Sequence, residues 1–358
     1  MAYLLSLSLR PYCYRMLRYV AIVLDKITWK EQNSNIMQTP ATLQEAIQYF
    51  ANYDNCRSFM VELRWPNGVI KCPYCGSEKI AYLAKARVYR CYGDHPKQKF
   101  SLKVGTIFED SPIPLEKWLP AVWLLVNCKN GISSYEIHRA LGVTQKSGWF
   151  MLQRIRLAVQ TKSFLKLGGD GKPVEVDESF IGGAARFMHA GRRKRMITAR
   201  GVKDKAAAFG LLERGGEVRV FAVPSRRRKA LQGHINEHVA AGSAIYSDAF
   251  MSYVGLKQQG FAHQVIDHAA QYVDGQVHTN GMENFWSLLK RSLKGTYISV
   301  EPFHLFRYLD EQAWRYNHRA TKEVKVTDGD RFRTALSQIV GKRLTFAEVT
   351  GKVGERAA

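Results

Sequence analysis

Residues 206–223, AAAFGLLERGGEVRVFAV, are two apolar runs hinged on Gly215 and Gly216, and they constrain the fold more than any other stretch. Apolar runs of this length around a glycine pair predict a β-hairpin, because glycine takes tight-turn backbone conformations at no steric cost. Upstream, VEVDESFIGG at 174–183 alternates valine with acid and predicts a strand. Downstream come a helical stretch near Arg228 to Val239, the short strand AIYSDAF containing Asp248, and the helical run HTNGMENFWSLLKRSLKGTY. Strand, hairpin, helix, strand and helix make an α/β unit whose first three strands are antiparallel neighbours.

The acids in this unit stand out because the chain carries 53 Lys and Arg against 31 Asp and Glu, a formal net charge of +22. Such an excess implies a polyanionic partner, most simply nucleic acid. A bilayer-spanning role is excluded at this level, since no run of about 18 apolar residues exists. Within VEVDESFIGG, strand alternation puts Asp177 on the face of Glu175, with Val174 and Val176 on the other. Glu175 and Glu178 read as supporting or surface residues. In the last helix, Asn280, Ser287, Lys290 and Lys294 fall within about 60° of Glu283, opposite Met282, Phe285, Trp286, Leu289 and Leu293. An acid, an amide and lysines on one face, anchored by aromatics behind, suit a site, although a routine amphipathic helix has the same pattern. The runs GRRKR (191–195) and SRRRK (225–229) read as solvated loops or, beside a metal site, as clamps on a phosphate backbone.

Six cysteines are too few for a disulfide scaffold and point to a reducing, cytoplasmic compartment. CPYCGS (72–77) places two thiols two residues apart, and YRCYGDHPKQKF (89–100) adds Cys91 and His95. Cys72, Cys75, Cys91 and His95 therefore form a candidate tetrahedral site for one structural zinc ion. Cys13, Cys56 and Cys128 lack partners at metal spacing. Further on, GISSYEIHRALGVTQKSGWFMLQRIRLAV predicts two helices joined at Gly142, with Ile137, Ala140 and Leu141 as the first apolar stripe. Thr144 caps the second helix, which turns Trp149, Leu152 and Ile155 inward. Gln145, Lys146, Gln153, Arg154 and Arg156 would then be exposed for DNA, as in a helix-turn-helix, the alternative being a plain helical hairpin. The first 36 residues lack a signal-peptide pattern, and Met37 followed by a capping box at Thr42 and Glu45 is the expected biological start.

VEVDESFIGG, IYSDAF and HTNGMENFWSLLKR, preceded by CPYCGS and VGTIFEDSPIPLEKWLPAVWLL, together resemble the zinc-ribbon, ISXO2-like group of bacterial insertion-sequence transposases. The resemblance runs from about Met37 to about Arg319, ending in YLDEQAWRYNHR. It implies the DDE superfamily, with an RNase H-like α/β catalytic domain, a mixed sheet with flanking helices, behind a zinc ribbon and a helix-turn-helix-like module. The expected layout is a leader at 1–36 and a short helix plus ribbon at 37–110. A helical module at 111–165, the catalytic domain at 170–320 and an extension at 321–358, a small peripheral element, follow. The resemblance implies Asp177, Asp248 and Glu283 as the catalytic carboxylates, with Lys290, two helical turns beyond Glu283, as the associated basic residue. Asn280 is an alternative third ligand. His95 departs from the commoner four-cysteine ribbon.

Phosphoryl transfer at a DNA backbone calls for two Mg²⁺ ions, or Mn²⁺ in their place, held by converging carboxylates. The expected activity is thus cleavage and strand transfer at insertion-sequence ends by a nucleoid-associated homo-oligomer bound to double-stranded DNA. The competing expectations are a non-catalytic DNA-binding regulator derived from a transposase, and an RNase H-like nuclease or resolvase.

Overall fold

The computed structural model describes residues 39–160, 163, 165–169, 171–182, 189–196, 205–266 and 277–352. The expected leader at 1–36 lies outside them. Helix α1 (Leu43–Phe50) starts where Thr42 accepts a hydrogen bond from the Glu45 N–H, and Glu45 in turn accepts from Ala41 N–H. Where the sequence predicts one short helix, a second follows: Asn52 accepts from the Asp54 N–H and opens α2 (Tyr53–Arg64). A small antiparallel sheet comprises β1 (Ile80–Leu83), β2 (Val88–Cys91) and β3 (Lys99–Phe100) in that order. Helices α3 (Leu115–Asn127), α4 (Ser134–Leu141) and α5 (Gln145–Val159) complete this part. Gly142 ends α4 in the left-handed region at φ 58°, and Thr144 caps α5, as the sequence predicts.

The second part is a five-stranded mixed sheet. After β4 (Val174–Ile181) comes α6 (Ala190–Met196), which carries the GRRKR run; then β5 (Ala206–Glu213), β6 (Val218–Val223), α7 (Arg228–His238), β7 (Ala244–Asp248) and β8 (Ala262–Ile266). Its spatial order is β6-β5-β4-β7-β8, with β4, β5 and β6 antiparallel and β4, β7 and β8 parallel. This is the mixed α/β arrangement expected of an RNase H-like domain. Strand β8 has no expectation behind it, because AHQVI is a short edge strand with most of its residues exposed and no alternating apolar signal. Helices α8 (Asn280–Ser292), α9 (Leu305–Asn317), α10 (Asp328–Ser337) and α11 (Phe346–Thr350) follow. None of the described helices is long and apolar enough to cross a membrane.

Alternation along the strands builds two cores. Val174, Val176, Phe209, Leu211 and Ile245 pack on Leu231 and Ile235 of α7. On the opposite face Ala208, Leu212, Val218 and Val220 meet Met282, Phe285, Trp286 and Leu289 of α8, with Leu305 and Leu309 of α9 behind them. Gly210 permits this contact: a Cβ there would stand 2.1 Å from Met282 Cε and 2.9 Å from the Trp286 ring. The missing side chain lets α8 lie directly on the sheet.

Two expectations need correction. Gln153, Arg154 and Arg156, predicted to face DNA, are buried, because α5 is packed between α3 and α9 and not laid on the surface. Arg154 donates to the carbonyls of Ile107, Glu109 and Leu344, and Arg156 pairs with Glu311 at 2.6 Å. Of that set, Lys146 remains exposed and Gln145 half-buried, donating to Ser134 Oγ; Ala140, assigned to an apolar stripe, is exposed. The extension 321–358 is not peripheral either. Phe332, Ala335 and Leu336 of α10, with Ile339, enter the N-terminal core, where the Phe332 ring lies 5.1–5.6 Å from those of Phe50, Phe59 and Trp123.

Asp310 of α9 supplies a pH test. Burial pushes its carboxyl up to about 7, against the opposing effects of Arg307, Gln160 and Lys342. Its folded pKa lies above the unfolded value, so its ionisation costs stability as pH rises from about 4 to about 7, and the cost is then constant. Asp310→Asn is expected to raise the Tm at pH 8 by at least about 2 °C and to leave it unchanged near pH 4. Equal shifts at both pH values in thermal melts would contradict this.

Candidate active site and zinc centre

Strands β4 and β7 are in register at Val174–Ile245 and Glu175–Tyr246 only, so the sheet opens beyond Glu175. Gaps of this kind at the carboxyl ends of parallel strands are where α/β folds place ligands. Asp177 and Glu178 on β4 and Asp248 at the end of β7 border the gap, and each offers a carboxylate oxygen within 4.8 Å of the others.

Each acid is fixed by a donor. Asp177 Oδ2 accepts from Trp286 Nε1 at 3.0 Å and its Oδ1 from the Glu178 N–H at 2.8 Å. Asp248 Oδ1 accepts from the Phe250 N–H at 3.1 Å, and Glu178 Oε1 from the Tyr253 hydroxyl at 2.8 Å. Burial, then the charges of Glu178 and Asp248, push Asp177 up to about 7, against the hydrogen bonds from Glu178 N–H and Trp286. Glu178 rises to about 7 through burial and Asp248, opposed by Tyr253 and Arg226. Asp177 and Glu178 therefore hold protons up to near neutrality unless a cation offsets the charge gathered here.

The cleft beside them is lined by Asp177, Glu178, Ser179, Glu283, Trp286, Ser287 and Lys290. Glu283, Ser287 and Lys290 come from the exposed face of α8, as its periodicity predicts, while Phe285, Trp286 and Leu289 anchor the buried face. Glu283 therefore stands across the cleft from the close group of three. Asn280 is the exposed first residue of α8 and is not among the lining residues.

Glu175 has another task. It is 1% exposed, pairs with Arg214 at 2.8 Å and accepts from the Met282 N–H at 2.9 Å, tying β4 to the first turn of α8. Gly281 makes room for it, since a Cβ there would stand 2.7 Å from Glu175 Oε2. The sequence reading missed Glu178 and Ser179 as cleft residues and Tyr253 as a partner. Strand alternation turns Glu178 away from Asp177 and marks it as a supporting or surface residue, and nothing local signals that the sheet opens there.

In the small sheet, Cys72, Cys75, Cys91 and His95 bring four donor atoms within 4.8 Å of one another. Cys72 Sγ lies 3.5 Å from His95 Nε2, and Cys75 Sγ lies 3.6 Å from Cys91 Sγ. A tetrahedral zinc with bonds of about 2.0–2.3 Å needs donors about 3.3–3.8 Å apart, so the set fits. A Cβ at Gly93 would crowd Cys75 Sγ at 3.0 Å, which explains the glycine. Burial pushes the Cys91 thiol up, but hydrogen bonds from His95, Gly93 N–H and the other thiols outweigh it and bring it down to about 7. Elemental analysis of the purified protein is expected to give about one zinc per chain. Cys91→Ser is expected to lose that ion and leave residues 72–100 open to protease; full zinc retention by this variant would exclude Cys91 as a ligand.

Comparison with known proteins fits both centres. Residues 166–317 match the ISXO2-like transposase domain, and residues 52–93 match the transposase zinc-ribbon domain. A protein of Halobacterium salinarum, described as an uncharacterized protein in transposable element ISH50, is 27% identical over 257 residues, covering 69% of this chain and 85% of the relative. An uncharacterized transposase-like protein of Haemophilus influenzae is 32% identical over 106 residues, covering 30% of this chain and 85% of the relative. With a mixed sheet that gathers acids at its opening and a thiol cluster at zinc spacing, the chain belongs to the ISXO2-like transposase family and carries that family's zinc ribbon.

Proposed function

We propose that the protein cleaves DNA at insertion-sequence ends and joins the freed ends to target DNA, using divalent ions held by Asp177, Asp248 and Glu283. The observation that carries this reading is the convergence of Asp177 and Asp248, far apart in sequence, within 4.8 Å at the opening of the sheet. Carboxylate oxygens gathered this closely would be able to hold a divalent ion, which takes oxygen ligands. When bound, Mg²⁺ or Mn²⁺ would lower the pKa of the attacking oxygen and offset charge on the leaving one.

The chain's own residues orient and bind. Trp286 holds Asp177 in one rotamer from the buried side, and the Glu175–Arg214 pair fixes the start of α8 relative to β4. Lys290, on the cleft wall, supplies a cation for the phosphate that enters. Arg226 of the SRRRK run lies over the rings of Phe180 and Phe250 at 4.5 and 4.7 Å, and its charge reaches Glu178. The ribbon and the exposed face of α4 would carry the element-end contacts, in keeping with the net charge of +22. Joining two ends in one event calls for a homo-oligomer on DNA.

The test is an assay with purified full-length protein, labelled element-end DNA and Mg²⁺. Cleavage followed by joined products is expected. Cleavage without joining would assign a nuclease, and binding without either a regulator.

A further inference from the structure

We propose that Glu178 is a third carboxylate ligand of the divalent-ion site, held for that role by Tyr253; this rests on the strand-transfer reading above. Neighbours on a strand face opposite sides, so Asp177 and Glu178 would ordinarily not share a ligand. Here the sheet opens beyond Glu175, and the longer glutamate side chain brings an oxygen to within 4.8 Å of those of Asp177 and Asp248. Glu283, the third acid expected from the sequence, lines the cleft but lies outside this close group.

The surroundings of Glu178 differ from those of a supporting acid. Glu175, which supports, is neutralised by Arg214 at 2.8 Å. Glu178 has a neutral partner, the hydroxyl of a tyrosine 1% exposed, and among the described residues it has no ion-pair partner within 4.0 Å. Arg226 is the cation whose charge reaches Glu178, and it acts from beyond ion-pair distance, so a half-buried glutamate held by a neutral hydroxyl keeps most of its charge unpaired. A separate observation points to a polar ligand in the same place. Ser179 is 3% exposed, lines the cleft, and its buried hydroxyl has no hydrogen-bond partner among the described residues. Such groups normally find a partner, and a bound ion's water or a phosphate oxygen would supply one.

Mn²⁺ titration of the full-length protein, with free Mn²⁺ followed by electron paramagnetic resonance, tests the assignment without requiring activity. Glu178→Gln keeps an acceptor for Tyr253 and so preserves the fold. It is expected to weaken Mn²⁺ binding by at least about tenfold, as Asp248→Asn does, while Tyr253→Phe gives a smaller loss. Wild-type affinity in Glu178→Gln alongside a loss in Asp248→Asn would overturn this inference and leave the wider reading standing. Wild-type affinity in Asp177→Asn and Asp248→Asn as well would overturn both.

Discussion

Asp248→Asn is expected to lower strand cleavage at labelled element ends by at least about a thousandfold, with the affinity for the same DNA unchanged. The same is expected of Asp177→Asn. On the proposed reading these acids would act as a unit, so removing one ligand of a shared ion would forfeit most of what the others contribute. Both substitutions are nearly isosteric, and both remove a charge from a cluster in which burial and mutual repulsion already push Asp177 and Glu178 up to about 7. Asp248→Asn keeps an acceptor for the Phe250 N–H, whereas Asp177→Asn gives up one of the two bonds accepted from Trp286 and the Glu178 N–H, so a thermal melt of each variant separates lost activity from unfolding. Gel-shift and cleavage assays on one preparation decide the matter. Retained cleavage in both variants removes the catalytic assignment, and loss of DNA affinity in parallel with cleavage would assign these acids to the DNA-binding surface.

Glu311→Ala is expected to destabilise the fold by about 3–5 kcal/mol, the cost of breaking a fully buried ion pair from one side. Glu311 sits between Arg156 of α5 and Arg315 of α9 and accepts from the Tyr297 hydroxyl; all three acids and bases are almost wholly buried. The Arg156 guanidinium lies over the Tyr308 ring at 3.9 Å, and its two terminal nitrogens have no hydrogen-bond partner among the described residues. Removing the one anion strands two cations in a site that water does not reach. The substitution Arg156→Met together with Glu311→Leu and Arg315→Met is expected to cost less than Glu311→Ala alone, because apolar groups of similar volume carry no desolvation penalty. Urea denaturation of the three proteins checks the order, and a shift below about 1 kcal/mol for Glu311→Ala would mean that the cluster is hydrated.

Much of this molecule was legible along the chain because local pattern and tertiary contact agree there. The hairpin at 206–223, the buried stripe of α8 and the cap at Thr144 each have a short-range cause, and each stands where expected. Asp177 belongs with them, since Val174 and Val176 before it fix its face. The failures share a different cause. Arg154 and Arg156 were read as solvent-facing because charge usually is, whereas their burial depends on carbonyls and a carboxylate supplied from residues 107, 109, 311 and 344. Glu178 reaches the cleft only because two strands part beside it. No window of sequence around these residues contains the partner that decides their place.

Phe332 has one more effect. It is a wedge delivered late in synthesis to a core begun by Phe50, Phe59 and Trp123. A chain ended before residue 328 would leave the surfaces of Phe50, Phe59 and Trp123 that Phe332 covers open to water, so an amino-terminal fragment would carry an apolar patch that the intact protein does not.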